Sequence, residues 1–291
     1  MSGLKRMAWG FFKKLVIADR LGLYVNDVYA HPQDFNGLQL TLATVFFAYQ
    51  IYCDFSGYSD IAIGSARVLG FRLMENFDRP YHSLSISEFW RRWHISLSTW
   101  FRDYVYVPMG GSRFGEVRHI ASVLVTFVAR GLWHGANWTY VFWGFLNAIY
   151  LIVGRTTKDA RSRLLGYLGL SENTGTRRAV MWISTVMLTL VGWVVFRAQS
   201  LTDAWYILTN FARGWDVSNI ATENFLMRQM PVAIGAIALL EAIQLLQKHI
   251  LISNVIKQAP LVLRWLIYTA AIIGVFMFGI FRQSQFIYFQ F

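Results

Sequence analysis

His134 lies in the run Arg130-Gly131-Leu132-Trp133-His134-Gly135-Ala136-Asn137-Trp138. Apolar stretches flank it, Ile120 to Trp133 and Asn137 to Val153, together long enough for two membrane passes. A titratable side chain at membrane depth is expensive, and it usually faces a protein interior or a water-filled path. Imidazole takes up and returns a proton near neutral pH. Glycines at 131 and 135 let another backbone or a substrate come close to the ring. The chemistry these features imply is proton transfer inside a bilayer. The competing reading is a packing histidine satisfied by its neighbours. The Gly and Trp flanks and the mid-hairpin position favour the chemical one.

A second histidine, His94, falls in Glu88-Phe89-Trp90-Arg91-Arg92-Trp93-His94-Ile95-Ser96-Leu97-Ser98. It reads either as an interfacial histidine on an aromatic helix, or as a site residue that orients His134 or polarises a carbonyl. Catalytic zinc takes three protein ligands. No third histidine or cysteine stands out beside these two, so no metal is expected. The lone cysteine, Cys53, excludes an internal disulfide and reads as a small buried apolar residue. Asp54 and Asp60, six residues apart, do not share a face of a regular helix. Each is expected to pair with a cation or to cap a broken helix. Asp54 also stays a candidate substrate-binding residue, with Trp133 and Asn137. Arg91, Arg92 and Arg102 fit two readings, as grips for the phosphates of a cytoplasmic donor or as snorkelling anchors. The chain has no Gly-x-Ser-x-Gly elbow, phosphate loop, Gly-x-Gly-x-x-Gly or His-Glu-x-x-His. Soluble hydrolase, nucleotide-binding and zinc-protease classes therefore lack support.

The elements that must position these residues are membrane elements. Of 291 residues, 55% are hydrophobic and only 15% charged, against about 25% charged in soluble domains. The net charge of +11 raises the question of nucleic acid. The basic residues fall between apolar segments, which excludes that class. Spanning helices need about 20 mostly apolar residues. Leu38 to Leu69, Ile120 to Val153 (two passes), Ala179 to Phe196, Pro231 to Leu246 and Leu261 to Phe281 qualify, and Leu15 to Ala30 is a partial sixth. No fixed repeat appears. No signal peptide is read at Met1, because Lys13 and Lys14 break the first apolar run and no small-residue cleavage site follows.

Loop charges orient the chain. Arg155 to Arg178 carries Arg155, Lys158, Arg161, Arg163, Arg177 and Arg178 against Asp159 and Glu172. Lys248 to Arg264 carries Lys248, Lys257 and Arg264 and no acid, whereas Arg197 to Arg228 is balanced. The positive-inside rule makes the first two cytoplasmic and the third external. Arg72 to Arg118 and the segment before Leu15 then fall inside, and Asn26 to Leu40 outside. Two segments are too polar for simple spans. Asp54-Phe55-Ser56-Gly57-Tyr58-Ser59-Asp60 interrupts an apolar run. Tyr81 to Val107 places Ile86, Phe89, Trp90, Trp93 and Leu97 at helical spacing, as in an amphipathic helix lying in the interface or dipping into the protein. Ser85 or Ser87 is its cap, with Glu88 completing a capping box after Ser85.

The ordered strings of this chain resemble the membrane-bound O-acyltransferase (MBOAT) superfamily, in its alginate O-acetyltransferase branch. They are Gly10 to Arg20, Tyr52 to Asp60, Asn76 to Tyr81, Glu88 to Ser98, Trp100 to Tyr106, Gly131 to Trp138 and Phe286 to Phe291. The resemblance implies an all-α polytopic fold, one domain over residues 1–291. Its helices would surround a central tunnel, with interfacial or re-entrant helices beside it. It matches His134 to the family's essential histidine and His94 to its second. It implies a bacterial inner-membrane enzyme with no bound cofactor. The donor would be acetyl-CoA or another cytoplasmic acyl thioester, and the acceptor a polysaccharide hydroxyl across the bilayer, reached with periplasmic acetylation proteins. Family members carry several more helices before the Lys13-Lys14 region, so this chain is expected to be the C-terminal part of that pattern.

O-acyl transfer needs a base for the hydroxyl and donors for the developing oxyanion. His134 is the expected base, and Asn137 and His94 are candidate oxyanion donors. Arg91 and Arg92 are the candidate donor grips. Alginate, other exopolysaccharides and peptidoglycan all remain open as acceptors. Two other classes stay open: a proton-coupled transporter and a catalytically inactive membrane scaffold. Transporters often show paired internal repeats, and none is visible.

Overall fold

The computed structural model describes residues 2–170, 174–215, 228–247, 255–256 and 258–281. Within them all regular structure is helical, apart from one isolated extended bridge between Phe77 and Trp93. The chain divides into two compact units, one from Met1–Met74 with Asn210–Gln290, the other from Glu75–Thr209. The closing string Phe286 to Phe291 lies outside the described residues.

The first unit starts with a helical rod. Helix α1 (Ser2–Phe11) passes through a π-helical segment (Phe12–Ala18) into α2 (Asp19–Ala30). The expected partial segment from Leu15 is thus the second half of a longer helix. The rod packs on α3 (Gly37–Val68), which opens with a capping box between Asn36 and Gln39. Glycines set the distance between α1 and α3. A Cβ on Gly10 would stand 2.6 Å from the Gly57 carbonyl, and one on Gly64 would stand 2.7 Å from the Gly3 carbonyl.

Of the two alternatives for Asp54 and Asp60, cation pairing is the one found, and α3 runs unbroken for 32 residues. The carboxylates are met by cations from the π segment and α1. Lys14 Nζ lies 2.5 Å from Asp54 and 2.7 Å from Asp19, Lys13 Nζ lies 2.6 Å from Asp60, and Arg6 lies 2.7 Å from Asp60. Lys13 also donates to Ser56 Oγ at 2.8 Å. Acids neutralised in this way need no break in the backbone. Helices α11 (Met230–Leu246) and α12 (Leu261–Phe278) complete the unit. Tyr49 donates to Glu241 at 3.3 Å, and the Gln244 amide to the Tyr52 hydroxyl at 3.1 Å. Arg20 donates to the Gln229 side chain and the Phe278 carbonyl.

The second unit carries α4 (Ile86–Arg92), α5 (Ile95–Phe101), a π turn (Arg102–Tyr106), α6 (Glu116–His134), α7 (Trp138–Thr156), α8 (Lys158–Tyr167), α9 (Gly175–Arg197) and α10 (Leu201–Asn210). The single amphipathic helix expected over Tyr81 to Val107 is instead two short helices, broken at Trp93-His94. His94 adopts φ 45° and ψ 57° there, a left-handed conformation uncommon for a residue with a Cβ. Asn76 secures the break: its carbonyl accepts from Ile95 N at 3.0 Å, and its side chain accepts from Ser96 N at 3.2 Å and Ser96 Oγ at 2.9 Å. Ser85 caps α4, accepting from Glu88 N at 3.1 Å. Glu88 reaches one residue further back than a capping box requires, to Leu84 N at 2.8 Å.

Helices α6 and α7 form the expected hairpin. A Cβ at Gly131 would collide with the Tyr140 carbonyl, and one at Gly144 with the Phe127 carbonyl. The room at Gly131 is therefore filled by the partner helix backbone. At the far end Arg155 grips Glu116 through two hydrogen bonds of 3.1 and 3.2 Å. Among the described residues, α9 and α12 are the helices long and apolar enough to cross a membrane, by length and composition alone. The other expected stretches are helical, but shorter or more polar.

Candidate active site

His134 is the last residue of α6, and the hairpin turn Gly135-Ala136-Asn137 follows it at once. Four aromatic rings enclose its imidazole. Trp143 and Phe196 stand edge-on at centroid distances of 5.3 and 5.1 Å, Trp133 lies at 5.0 Å and Tyr140 at 6.3 Å. The hairpin supplies Trp143 and Tyr140 because α7 folds straight back on α6. Phe196 comes from the end of α9, held there by Trp193, whose indole donates to the Tyr81 hydroxyl at 3.1 Å. Trp182, about three turns earlier on α9, donates to the Tyr81 carbonyl at 2.8 Å. A ring in such a wall loses most of its water, which suits a base that must act on a substrate proton rather than on solvent.

His94 joins the same cluster. It is buried, and its ring centroid lies 6.1 Å from that of Trp133. The two histidines thus share one indole, and the Nδ1 atoms of both are shielded from solvent. The left-handed backbone at His94 turns the chain at this point. Strained residues of this kind cluster at functional sites.

Arg130 lies one turn before His134 on α6 and was not singled out from the sequence. It is only 3% exposed. Its guanidinium sits 4.2 Å from the centroid of Trp90 and 5.8 Å from that of Phe127. Trp90 is fixed in turn by donating its indole N–H to Asn147 at 3.2 Å. The signal available in the sequence was an arginine four residues before the histidine in an apolar helix.

Of the remaining expected residues, Trp133 belongs to the cluster. Trp133 is half-exposed against both histidines. The Asn137 amide is committed to the turn: its oxygen accepts from Thr139 N and its nitrogen donates to the Gln199 carbonyl, both at 3.1 Å. Arg91 is exposed and donates to Ser87 Oγ at 3.0 Å, while Arg92 pairs with Glu88 at 2.7 Å. Arg102 is exposed and paired with Asp103 at 2.8 Å. The hydrogen bond from Arg102 holds the Asp103 carboxyl below its usual range. Asp54 belongs to the other unit, in its ion pair with Lys14.

Comparison with known proteins places this geometry. The model of the membrane-bound O-acyltransferase family matches residues 3–201. The chain is similar to a Pseudomonas putida protein named probable alginate O-acetylase AlgI, at 44% identity over 199 residues, covering 68% of this chain and 39% of that protein. It is 34% identical over 206 residues to a peptidoglycan O-acetyltransferase of Helicobacter pylori, covering 71% of this chain and 38% of the relative. A teichoic acid D-alanyltransferase of Streptococcus thermophilus is 29% identical over 222 residues, covering 70% of this chain and 52% of that protein. The chain spans about two-fifths of the length of the first two relatives. The histidine-centred aromatic cluster, from Trp90 to Phe196, lies within residues 3–201 that the family model matches, and leads to one conclusion: this chain belongs to the membrane-bound O-acyltransferase family.

Proposed function

We propose that residues 1–291 belong to one multi-pass domain of the bacterial inner membrane that transfers an acyl group, acetyl in the first instance, from a cytoplasmic thioester to hydroxyls of an extracytoplasmic polysaccharide. Periplasmic acetylation proteins are its partners, either in delivering the acceptor or as an intermediate acyl carrier. No metal or bound cofactor takes part. The observation that carries this reading is the pair of histidines sharing Trp133 inside an aromatic wall. The names of the relatives, which include acyl transfer to alginate, peptidoglycan and teichoic acid, support polymer hydroxyls as the acceptor class.

His134 acts as general base. As the acceptor oxygen attacks the thioester carbonyl carbon, its proton passes to the imidazole and the carbonyl oxygen becomes anionic. The carbon–sulfur bond then breaks, the electron pair leaves with sulfur, and the thiolate takes the proton back from the imidazolium. His94 orients the base or polarises the carbonyl. Asn137 caps the start of α7, and its second amide hydrogen keeps it a candidate oxyanion donor.

The test is His134→Ala in the native gene, scored as polymer acetylation per unit of membrane-inserted protein. A base contributes roughly 10²–10⁴-fold, and a loss of that size is expected with normal insertion. Wild-type acetylation in this variant would end the catalytic reading.

A further inference from the structure

Arg130 is a buried charged group beside the histidine cluster, and the scheme above gives it no task. Its position is over-determined. The Trp90 indole carries the guanidinium at 4.2 Å, Phe127 flanks it at 5.8 Å, and Asn147 fixes Trp90 through a 3.2 Å hydrogen bond. Trp90 also packs edge-on against Trp143 at 5.5 Å, and Trp143 packs against His134 at 5.3 Å. One continuous set of rings therefore joins the seat of the cation to the imidazole. Burying a guanidinium costs free energy, and intramembrane charges that persist mark functional paths. A cation retained one turn from the base has a clear use. The reaction creates negative charge twice, on the carbonyl oxygen and then on sulfur, beside these rings.

We propose that Arg130 is an electrostatic positioning residue of the acyl-transfer site, its fixed guanidinium supplying the positive field in which the carbonyl oxygen and the leaving sulfur carry their charge. This rests on the acyl-transfer reading above. Arginine suits the role better than lysine because its planar group stacks on an indole and stays charged when buried.

The experiment compares Arg130→Gln, Arg130→Lys and His134→Ala in the native gene. It measures kcat and donor KM in membranes, normalised to inserted protein. Arg130→Gln should lower kcat on the order of 10²-fold, the scale of removing one oxyanion-stabilising group, with little change in donor KM. Arg130→Lys should recover most of that loss because it keeps the charge. Wild-type kcat in Arg130→Gln overturns the proposal. So does an equal loss in both arginine variants at equal insertion, which would make the residue a packing element. Should Arg130→Gln fail to accumulate, Trp90→Phe is read instead. A fall in kcat of about threefold or more supports the field and an unchanged kcat overturns it. The His134→Ala arm separates the two readings. Activity surviving there removes the base, whereas loss there with wild-type Arg130→Gln kinetics removes only the field.

Discussion

Trp143 of α7 stands edge-on to His134 of α6, ring centroids 5.3 Å apart and planes at 86°. The contact depends on the tight hairpin, because Gly131 and Gly144 let the two helices approach until backbone meets backbone. Trp143→Phe keeps an aromatic edge at this place and should reduce acetylation only a few-fold, while Trp143→Ala should cost about 3–5 kcal/mol of stability. Thermal denaturation of the detergent-solubilised protein, paired with acetylation per inserted protein, checks both halves. Full activity and stability in the alanine variant would show that the wall is dispensable.

His94 invites a separation of ring from backbone. Asn tolerates the left-handed conformation that His94 adopts, whereas a β-branched residue does not. Asn at 94 should therefore insert and melt like the wild type but acetylate roughly tenfold less, for want of an orienting imidazole. Val at 94 should lose stability as well, by about 1–3 kcal/mol. Equal activity in His94→Asn and wild type would reduce His94 to a turn residue.

The other histidines should leave the chemistry intact. His31, His82 and His119 are not set in a Gly- and Trp-flanked hairpin as His134 is, and His249 falls outside the described residues. His119 has a structural duty that the sequence did not reveal, since its Nδ1 is 2.8 Å from the Tyr106 hydroxyl. His119→Ala should cost about 1 kcal/mol while acetylation per folded molecule stays at wild type. A selective loss of acetylation in this variant would bring His119 into the site.

The arginines of α4 should differ from one another. Arg92 is tied to Glu88, whereas exposed Arg91 has the weaker Ser87 hydroxyl. If they hold donor phosphates, Arg91→Lys should raise donor KM more than Arg92→Lys, with acceptor KM unchanged in both. Unchanged donor KM in the double variant would return both to the role of interface anchors.

Orientation can be read with single cysteines in a Cys53→Ala background. Sites at Ser171 and Ser218 fall outside the described residues. Gly166, near the end of α8 with open space around it, and exposed Thr202 on α10 serve instead. An impermeant thiol reagent applied to outer-membrane-permeabilised cells should label position 202 and spare 166. The opposite pattern would invert the topology drawn from loop charges.

Much of the helical layout was legible, because apolar runs and punctuating charges are local signals. The hairpin turn at His134, the cap at Ser85 and the ion pairing of Asp54 and Asp60 all followed from residue types. Three features did not. The unbroken α3 depends on cations forty or more residues away in sequence, which no window on the Asp54 region contains. The break at His94 is fixed by Asn76, a partner outside the helical pattern. Arg130 looked like part of a motif rather than a residue with its own seat, because Trp90 and Asn147 arrive from two other helices.

The π segment Phe12–Ala18 sets the phase of the whole N-terminal rod. It holds one residue more per turn than the α-helix around it, and by that offset Gly3 and Gly10 face α3 while Lys13 and Lys14 reach its acids. Removing a single residue there would turn α1 by roughly 100° against α2. The glycine seam would swing away, and bulkier residues would press on the Gly57 and Gly64 backbone. A change of length here would therefore undo in one step both the glycine seam and the ion pairs that Lys13 and Lys14 make.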